Sequence, residues 1–251
     1  MIHCIATILS IMPTFQTYDW SQVLDVPKIS TTRAGNQIFH FSSKNKPYLD
    51  SDSARAFVEE HLSEAKQLDS DAAILKFASD AVSIDGEFIE LGVCTAKTIN
   101  FIAGLNPSKT VYGFDSFEGL PERWERSDAL FDKGTFGFKD PSSLPPTLCN
   151  VELVQGWFSD TLPAFNEKLN GPIAFLHIDS DLYSSANCAL NVFELRIVPG
   201  TILLFDELYN YPNAENHEWK ALQEFLVRTG LKAEYLAFNT NHEQVALRIG
   251  K

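Results

Sequence analysis

The chain has 251 residues, enough for one large α/β domain or two small ones, and its 45% hydrophobic share is that of an ordinary globular protein with a sizeable core. A formal net charge of −13 with no basic stripe argues against a nucleic-acid partner, which needs clustered Lys and Arg. The opening MIHCIATILSIM is apolar but short of the ~20 residues a bilayer span needs. It also lacks a basic leader, so no membrane partner is expected, and the expected location is the cytoplasm. Cys4, Cys94, Cys149 and Cys188 show no metal or redox spacing and read as reduced thiols.

Residues 1–52 show no long period and carry turn-rich stretches such as STTRAGNQ and SSKNKP, so they read as an N-terminal extension. The remainder, 53–251, reads as one domain. From Ser53 to Ser79 apolar residues recur at helical spacing, with a break near Asp69–Asp71. After Asp85-Gly86 strands and helices alternate. EFIEL is a strand and Thr95–Leu105 a helix. Thr110–Phe114 is a strand, followed by an insertion over 118–150 that holds Trp124, Phe131, Phe136 and Phe138. VELVQ, IAFLHI and TILLF are further strands, separated by helices over Ser159–Leu169 and Ser184–Leu195. A helix over Trp219–Thr229 precedes the strands AEYLAF and QVALRI. Strand–helix alternation implies a parallel sheet. The last two strands have too short a connection for a parallel crossover and must be antiparallel.

Two acidic groups follow apolar strands: Asp179 and Asp181 in HIDSDLYSS, and Asp206 and Glu207 in TILLFDEL. Carboxylates at the C-terminal ends of parallel strands face the crevice where open α/β sheets bind ligands. Close, unpaired carboxylates repel one another, and a hard divalent cation with oxygen ligands removes that conflict. Mg²⁺ or a similar ion is therefore expected there. His177, inside the apolar strand, reads as a hydrogen-bonded core or cofactor-edge residue rather than a ligand. His217 and Glu218 read as a solvated helix start or as groups that reach an acceptor. Tyr209, Tyr211 and Trp219 could form an aromatic platform or pack ordinarily.

Glu90-Leu91-Gly92-Val93-Cys94 joins the first of these strands to its helix. Gly92 permits a sharp turn and a close ligand approach, and the helix start offers free N–H groups to an anion. The loop lacks GxGxxG, and a tight structural turn stays open beside a ligand loop. Asp115 ends the next strand roughly 20 residues after the glycine loop, the place of an acid that binds ribose hydroxyls.

GFDSFEGLPERW, KGTF, VELVQGWFSDTLP, HIDSDLYSS and PGTILLFDEL, in that order, resemble the macrocin O-methyltransferase (TylF-like) family of class I S-adenosylmethionine-dependent methyltransferases. The resemblance runs from about Phe88 to Phe225. It implies an α/β, Rossmann-like sheet, mostly parallel with one antiparallel strand near the C-terminus, and helices on both faces. It implies S-adenosylmethionine and Mg²⁺ as cofactors and a hydroxylated small molecule, a sugar or glycosylated natural product, as acceptor. Asp179, Asp206 and Glu207 match the metal-binding positions, and Asp181 the general base. Glu90, Gly92, Asp115, Ser116 and Phe117 match the cofactor loop and ribose side, and Gly156, Trp157 and Phe158 the adenine border. Ala96 stands where many relatives have glycine. The insertion over 118–150 is expected to act as a lid, and a homo-oligomer is expected by resemblance alone. The competing readings are a catechol-type O-methyltransferase, a nicotinamide-dependent oxidoreductase and a non-catalytic binding protein. The missing GxGxxG argues against the second and the intact acidic set against the third.

Overall fold

A computed structural model describes residues 52–126, 130–140 and 144–251, so nearly all of the N-terminal extension lies outside the described residues. The elements in chain order are α1 (Asp52–His61), β1 (Lys66–Leu68), α2 (Asp71–Asp80), β2 (Glu87–Leu91), α3 (Lys97–Leu105), β3 (Val111–Asp115), β4 (Trp124–Glu125) and β5 (Leu130–Phe131). They continue with β6 (Val151–Gln155), α4 (Phe158–Asn166), β7 (Ile173–Ile178), α5 (Tyr183–Val192), β8 (Ile202–Phe205), a 3-10 turn (Ala214–Asn216), α6 (Glu218–Thr229), β9 (Lys232–Asn239) and β10 (Val245–Gly250).

Eight strands form one sheet in the order β1-β9-β10-β8-β7-β2-β3-β6. β7 sits at its middle and is buried at every position, because both its faces are covered. β6 at the edge alternates between partly buried and exposed side chains. β10 runs antiparallel to both β8 and β9, and the other pairings are parallel, which is the mixed sheet expected. Side-chain alternation along the strands divides the core in two. Ile89, Leu91, Leu176, Ile178, Leu203 and Phe205 pack against α4, α5 and α6. Phe88, Phe175, Ile202 and Leu204 pack against α2 and α3 on the other face.

Three local differences from the sequence reading have simple causes. β1 is an edge strand paired with Ala237–Asn239, where a helical run was expected; three residues, two of them polar and exposed, carry no readable period. The insertion holds a small antiparallel pair, β4 and β5. Cys149 is disulfide-bonded rather than reduced, while Cys94 and Cys188 are free and Cys4 lies outside the described residues. The thiol reading rested on local spacing, and a bond between distant parts of a chain has none.

Candidate active site

The C-terminal ends of β2, β3, β7 and β8 open into one crevice. Their register places Glu90 beside His177, and His177 beside Leu204. Gly92 has φ +91°, and a Cβ there would lie 1.7 Å from the Asp179 carbonyl oxygen. Only glycine lets the loop after β2 pass this close to the loop after β7. Four non-glycine residues of the crevice also adopt positive φ: Cys94 (45°), Ala96 (61°), Phe117 (58°) and Asp181 (61°). Such strain persists only where the surroundings enforce it, and it concentrates at functional sites. The helices that start at this end, α3, α4 and α5, have no side-chain N-cap, whereas Ser70 caps α2. Their first N–H groups are left to ligand or solvent.

On the cofactor side, Asp115 Oδ2 accepts the backbone N–H of Val93 and of Cys94, each at 2.8 Å, and Oδ1 accepts that of Phe117 at 2.7 Å. The carboxylate thus shapes the glycine loop, and of roughly four acceptor sites about one is left over. Ser116 Oγ accepts the Glu118 N–H, and Phe117 is buried against Phe138 of the insertion. Gly156 donates its N–H to the Asp115 carbonyl, which brings Trp157 and Phe158, the start of α4, beside the same loop. Glu90 is fully buried and accepts from Thr98 Oγ1 at 3.0 Å, and its Oε2 lies 2.9 Å from His177 Nδ1. It anchors the sheet end beneath the loop.

On the acidic side, the structure brings His177, Asp179 and Asp206 together, with one possible ligand atom from each within 4.8 Å of the others. Glu207 falls outside that trio, yet its Oε2 is buried without a partner. His177, expected as a hydrogen-bonded core or cofactor-edge residue rather than a ligand, is hydrogen-bonded through Nδ1 to Glu90 yet also joins the trio, with Nε2 3.6 Å from Asp206 Oδ1, an ion-pair distance with no hydrogen bond. Gln244 Nε2 donates to Asp206 Oδ1 at 2.7 Å. Burial, then the Asp206 charge, raises Asp179 well above the usual carboxylate range and Asp181 to about 7. Burial, then the charges of Asp206, Asp181 and Asp179, raises Glu207. Burial alone would raise Asp206 and lower His177; their mutual contact outweighs it, holding Asp206 below the usual range and pushing His177 to about 10. The donors are hard oxygens with one imidazole, one oxygen is orphaned, and the carboxyls repel, so the set fits a divalent cation.

Glu218 is not a solvated helix start: it is fully buried. The aromatic platform also divides. Tyr209 stacks on Phe57 and Trp219 meets Phe57 edge-on, both beneath α1. Tyr211 instead joins Trp124 of the insertion, with ring centres 5.7 Å apart, and both pack on Leu182, next to Asp181. Trp124 Nε1 and the Tyr211 hydroxyl are buried without partners. The Arg126 guanidinium lies 4.6 Å from the Trp124 ring and 4.3 Å from that of Tyr211 and forms a buried bidentate pair with Glu243. This Arg126 clasp and the burial of Glu218 were not legible from spacing.

Sheet order, the antiparallel last strand and helices on both faces define a class I methyltransferase fold. The chain is similar to the O-methyltransferase NovP (TM-score 0.54, 18% identity, 72% of this chain and 79% of that one). It is similar also to the calicheamicin methyltransferase CalS11 (TM-score 0.55, 21% identity, 87% and 99%). The family model described as macrocin-O-methyltransferase (TylF) matches residues 148–238, which bears out the resemblance to that family. A curated relative from Streptomyces olivaceus, 8-demethyl-8-(2,3-dimethoxy-alpha-L-rhamnosyl)-tetracenomycin-C 4'-O-methyltransferase, is 26% identical over 148 residues. That match spans 51% of this chain and about half, 54%, of the relative's length. Among the described residues no helix is long and apolar enough to cross a membrane.

Proposed function

We propose that the protein is a Mg²⁺-dependent S-adenosylmethionine O-methyltransferase whose acceptor is a hydroxyl of a sugar or glycosylated small molecule. One observation carries this reading: the Asp115-shaped loop and the Asp179–Asp206 pair meet at the C-terminal ends of the same parallel strands, with strained Asp181 beside them. The activity named for the Streptomyces olivaceus relative, 4'-O-methylation of a rhamnosyl-bearing tetracenomycin, supports a sugar hydroxyl as acceptor.

The methyl donor would lie over the loop, against Gly92, Asp115, Ser116 and Phe117, with Gly156, Trp157 and Phe158 at its adenine. Glu90 would act from beneath by holding the loop. Asp179 and Asp206 would hold the cation, with Glu207 turning its orphaned oxygen toward it and His177 as a further neighbour. A cation bound there would supply Lewis-acid polarisation of the acceptor hydroxyl. Asp181 would take the hydroxyl proton as the oxygen–methyl bond forms. S-adenosylmethionine bound there would supply the methyl group for the ether, its sulfur keeping the electron pair of the broken bond as S-adenosylhomocysteine. Fixing the oxygen in line with the methyl carbon is the protein's main contribution.

The insertion over 118–150 would close over both substrates. Phe138 reaches Phe117 on the cofactor side and Trp124 reaches Leu182 and Tyr211 on the acceptor side. The buried Trp124 N–H and Tyr211 O–H would then meet acceptor oxygens.

Calorimetry with S-adenosylmethionine tests the reading. Wild type should bind, and Asp115→Ala, which releases three loop N–H groups, should bind at least about tenfold more weakly. No binding to folded wild-type protein would overturn it.

A further inference from the structure

We propose that Glu218 is a positioning residue that fixes the spacing of the two acid-bearing loops for the divalent cation. Glu218 is the first residue of α6, and its side chain is fully buried. A buried carboxylate is retained only where hydrogen bonds replace its water. Here those bonds reach two separate loops. Oε1 accepts from the Ser180 backbone N–H at 3.2 Å and from Ser180 Oγ at 3.3 Å. Oε2 accepts from the Glu207 N–H at 3.3 Å. Ser180 lies between Asp179 and Asp181, and Glu207 follows Asp206. The ladder between β7 and β8 ends at Ile178 and Phe205, with a last backbone bond from the Asp206 N–H to the Ile178 carbonyl at 2.9 Å. Past that point Glu218 bridges the two loops, one oxygen to each.

Chemistry explains why this position needs a carboxylate. Both oxygens must accept, because each faces a backbone N–H, which can only donate: Ser180 at Oε1 and Glu207 at Oε2. Glutamine has nearly the same shape but offers one acceptor and one NH₂. With its oxygen toward Ser180, its NH₂ would face the Glu207 N–H, donor against donor. The loops would part on the Glu207 side, and the Asp179–Asp206 spacing would be free to widen. Partners that orient ligands in this way typically change metal affinity about 10- to 100-fold when removed.

The inference rests on the cation site proposed above, and the experiment separates the two. Mg²⁺, and Mn²⁺ as a second probe, are titrated by calorimetry into wild type, Glu218→Gln, Ser180→Ala and Asp179→Asn, with S-adenosylhomocysteine titrated in parallel. Expected are metal affinity about 10- to 100-fold weaker in Glu218→Gln and about threefold weaker in Ser180→Ala, which changes no charge, with S-adenosylhomocysteine affinity within about twofold of wild type in both. If wild type binds neither ion, the cation site itself fails and the inference with it. If Asp179→Asn abolishes binding while Glu218→Gln and Ser180→Ala bind like wild type, the inference alone is overturned. Should Glu218→Gln not fold, Ser180→Ala decides: unchanged metal affinity there overturns the proposal. Equal losses of metal and S-adenosylhomocysteine affinity would mark a general structural role and overturn it too.

Discussion

Without metal, the crevice should make the protein less stable as the pH rises from 5 to 8. Burial, followed by neighbouring charge, raises Asp181 to about 7 and Glu218 to about 8, and raises Asp179 and Glu207 in the same direction. A carboxyl whose folded value is raised binds its proton more tightly in the folded chain. Its contribution is complete below the unfolded value, near 4, and is lost as pH climbs through the folded one. His177, raised to about 10 by Asp206 and Glu90 against the effect of burial, has the same sign, with losses starting above about 6.5. Asp206 is lowered, so its contribution is present throughout this window and disappears only in stronger acid. One net extra proton held across three pH units corresponds to about 4 kcal/mol, at about 1.4 kcal/mol per unit. For a chain of this size that is about 8–16 °C in Tm. Scanning calorimetry from pH 5 to 8 in EDTA would show it. Excess Mg²⁺ should restore much of the loss at pH 8, about 2.7 kcal/mol at a hundredfold excess over Kd, and little at pH 5, where protons compete for the same oxygens. A Tm that stays level or rises with pH in EDTA would refute the picture of mutually repelling, poorly solvated carboxyls.

Arg126→Met should remove the bidentate ion pair to buried Glu243 and cost about 3–5 kcal/mol in urea unfolding, with faster proteolysis within 118–150. An unchanged midpoint would mean that the pair is solvated. Gly92→Ala should fail to fold or lose more than about 4 kcal/mol, because its Cβ would overlap the Asp179 carbonyl at a φ of +91°; circular dichroism and thermal melts would report it. Cys94, raised from about 9 to about 11 by burial and then by Asp115 and Asp179, should be about a hundredfold less ionised at pH 8 than an ordinary thiol, and should resist iodoacetamide in a mass-spectrometric time course. Rapid labelling of folded protein would contradict the raised thiol.

The central strands were legible because IAFLHI, ILLF and EFIEL are long enough and apolar enough to admit one reading, and the crevice followed from carboxylates placed just past their ends. What stayed hidden depends on contacts between distant segments. Arg126 and Glu243 are 117 positions apart, and no local pattern marks an arginine that will sit between two rings. Tyr209, Tyr211 and Trp219 look alike in sequence, yet a two-residue step carries Tyr209 under α1 and Tyr211 to the acid turn. Glu218 is the sharpest case. An acid at the first position of a helix is favoured by the helix dipole whether or not it is buried. Sequence therefore leaves it between a solvated helix start and a group that reaches the acceptor, while the fold uses both its oxygens to accept from backbone N–H groups and a hydroxyl of two loops. The same preference for an acid there serves both ends: the helix start tolerates the acid, and its two oxygens join the loops. A residue that satisfies a local rule and a long-range need together leaves no anomaly in the sequence, so only three-dimensional contact reveals it.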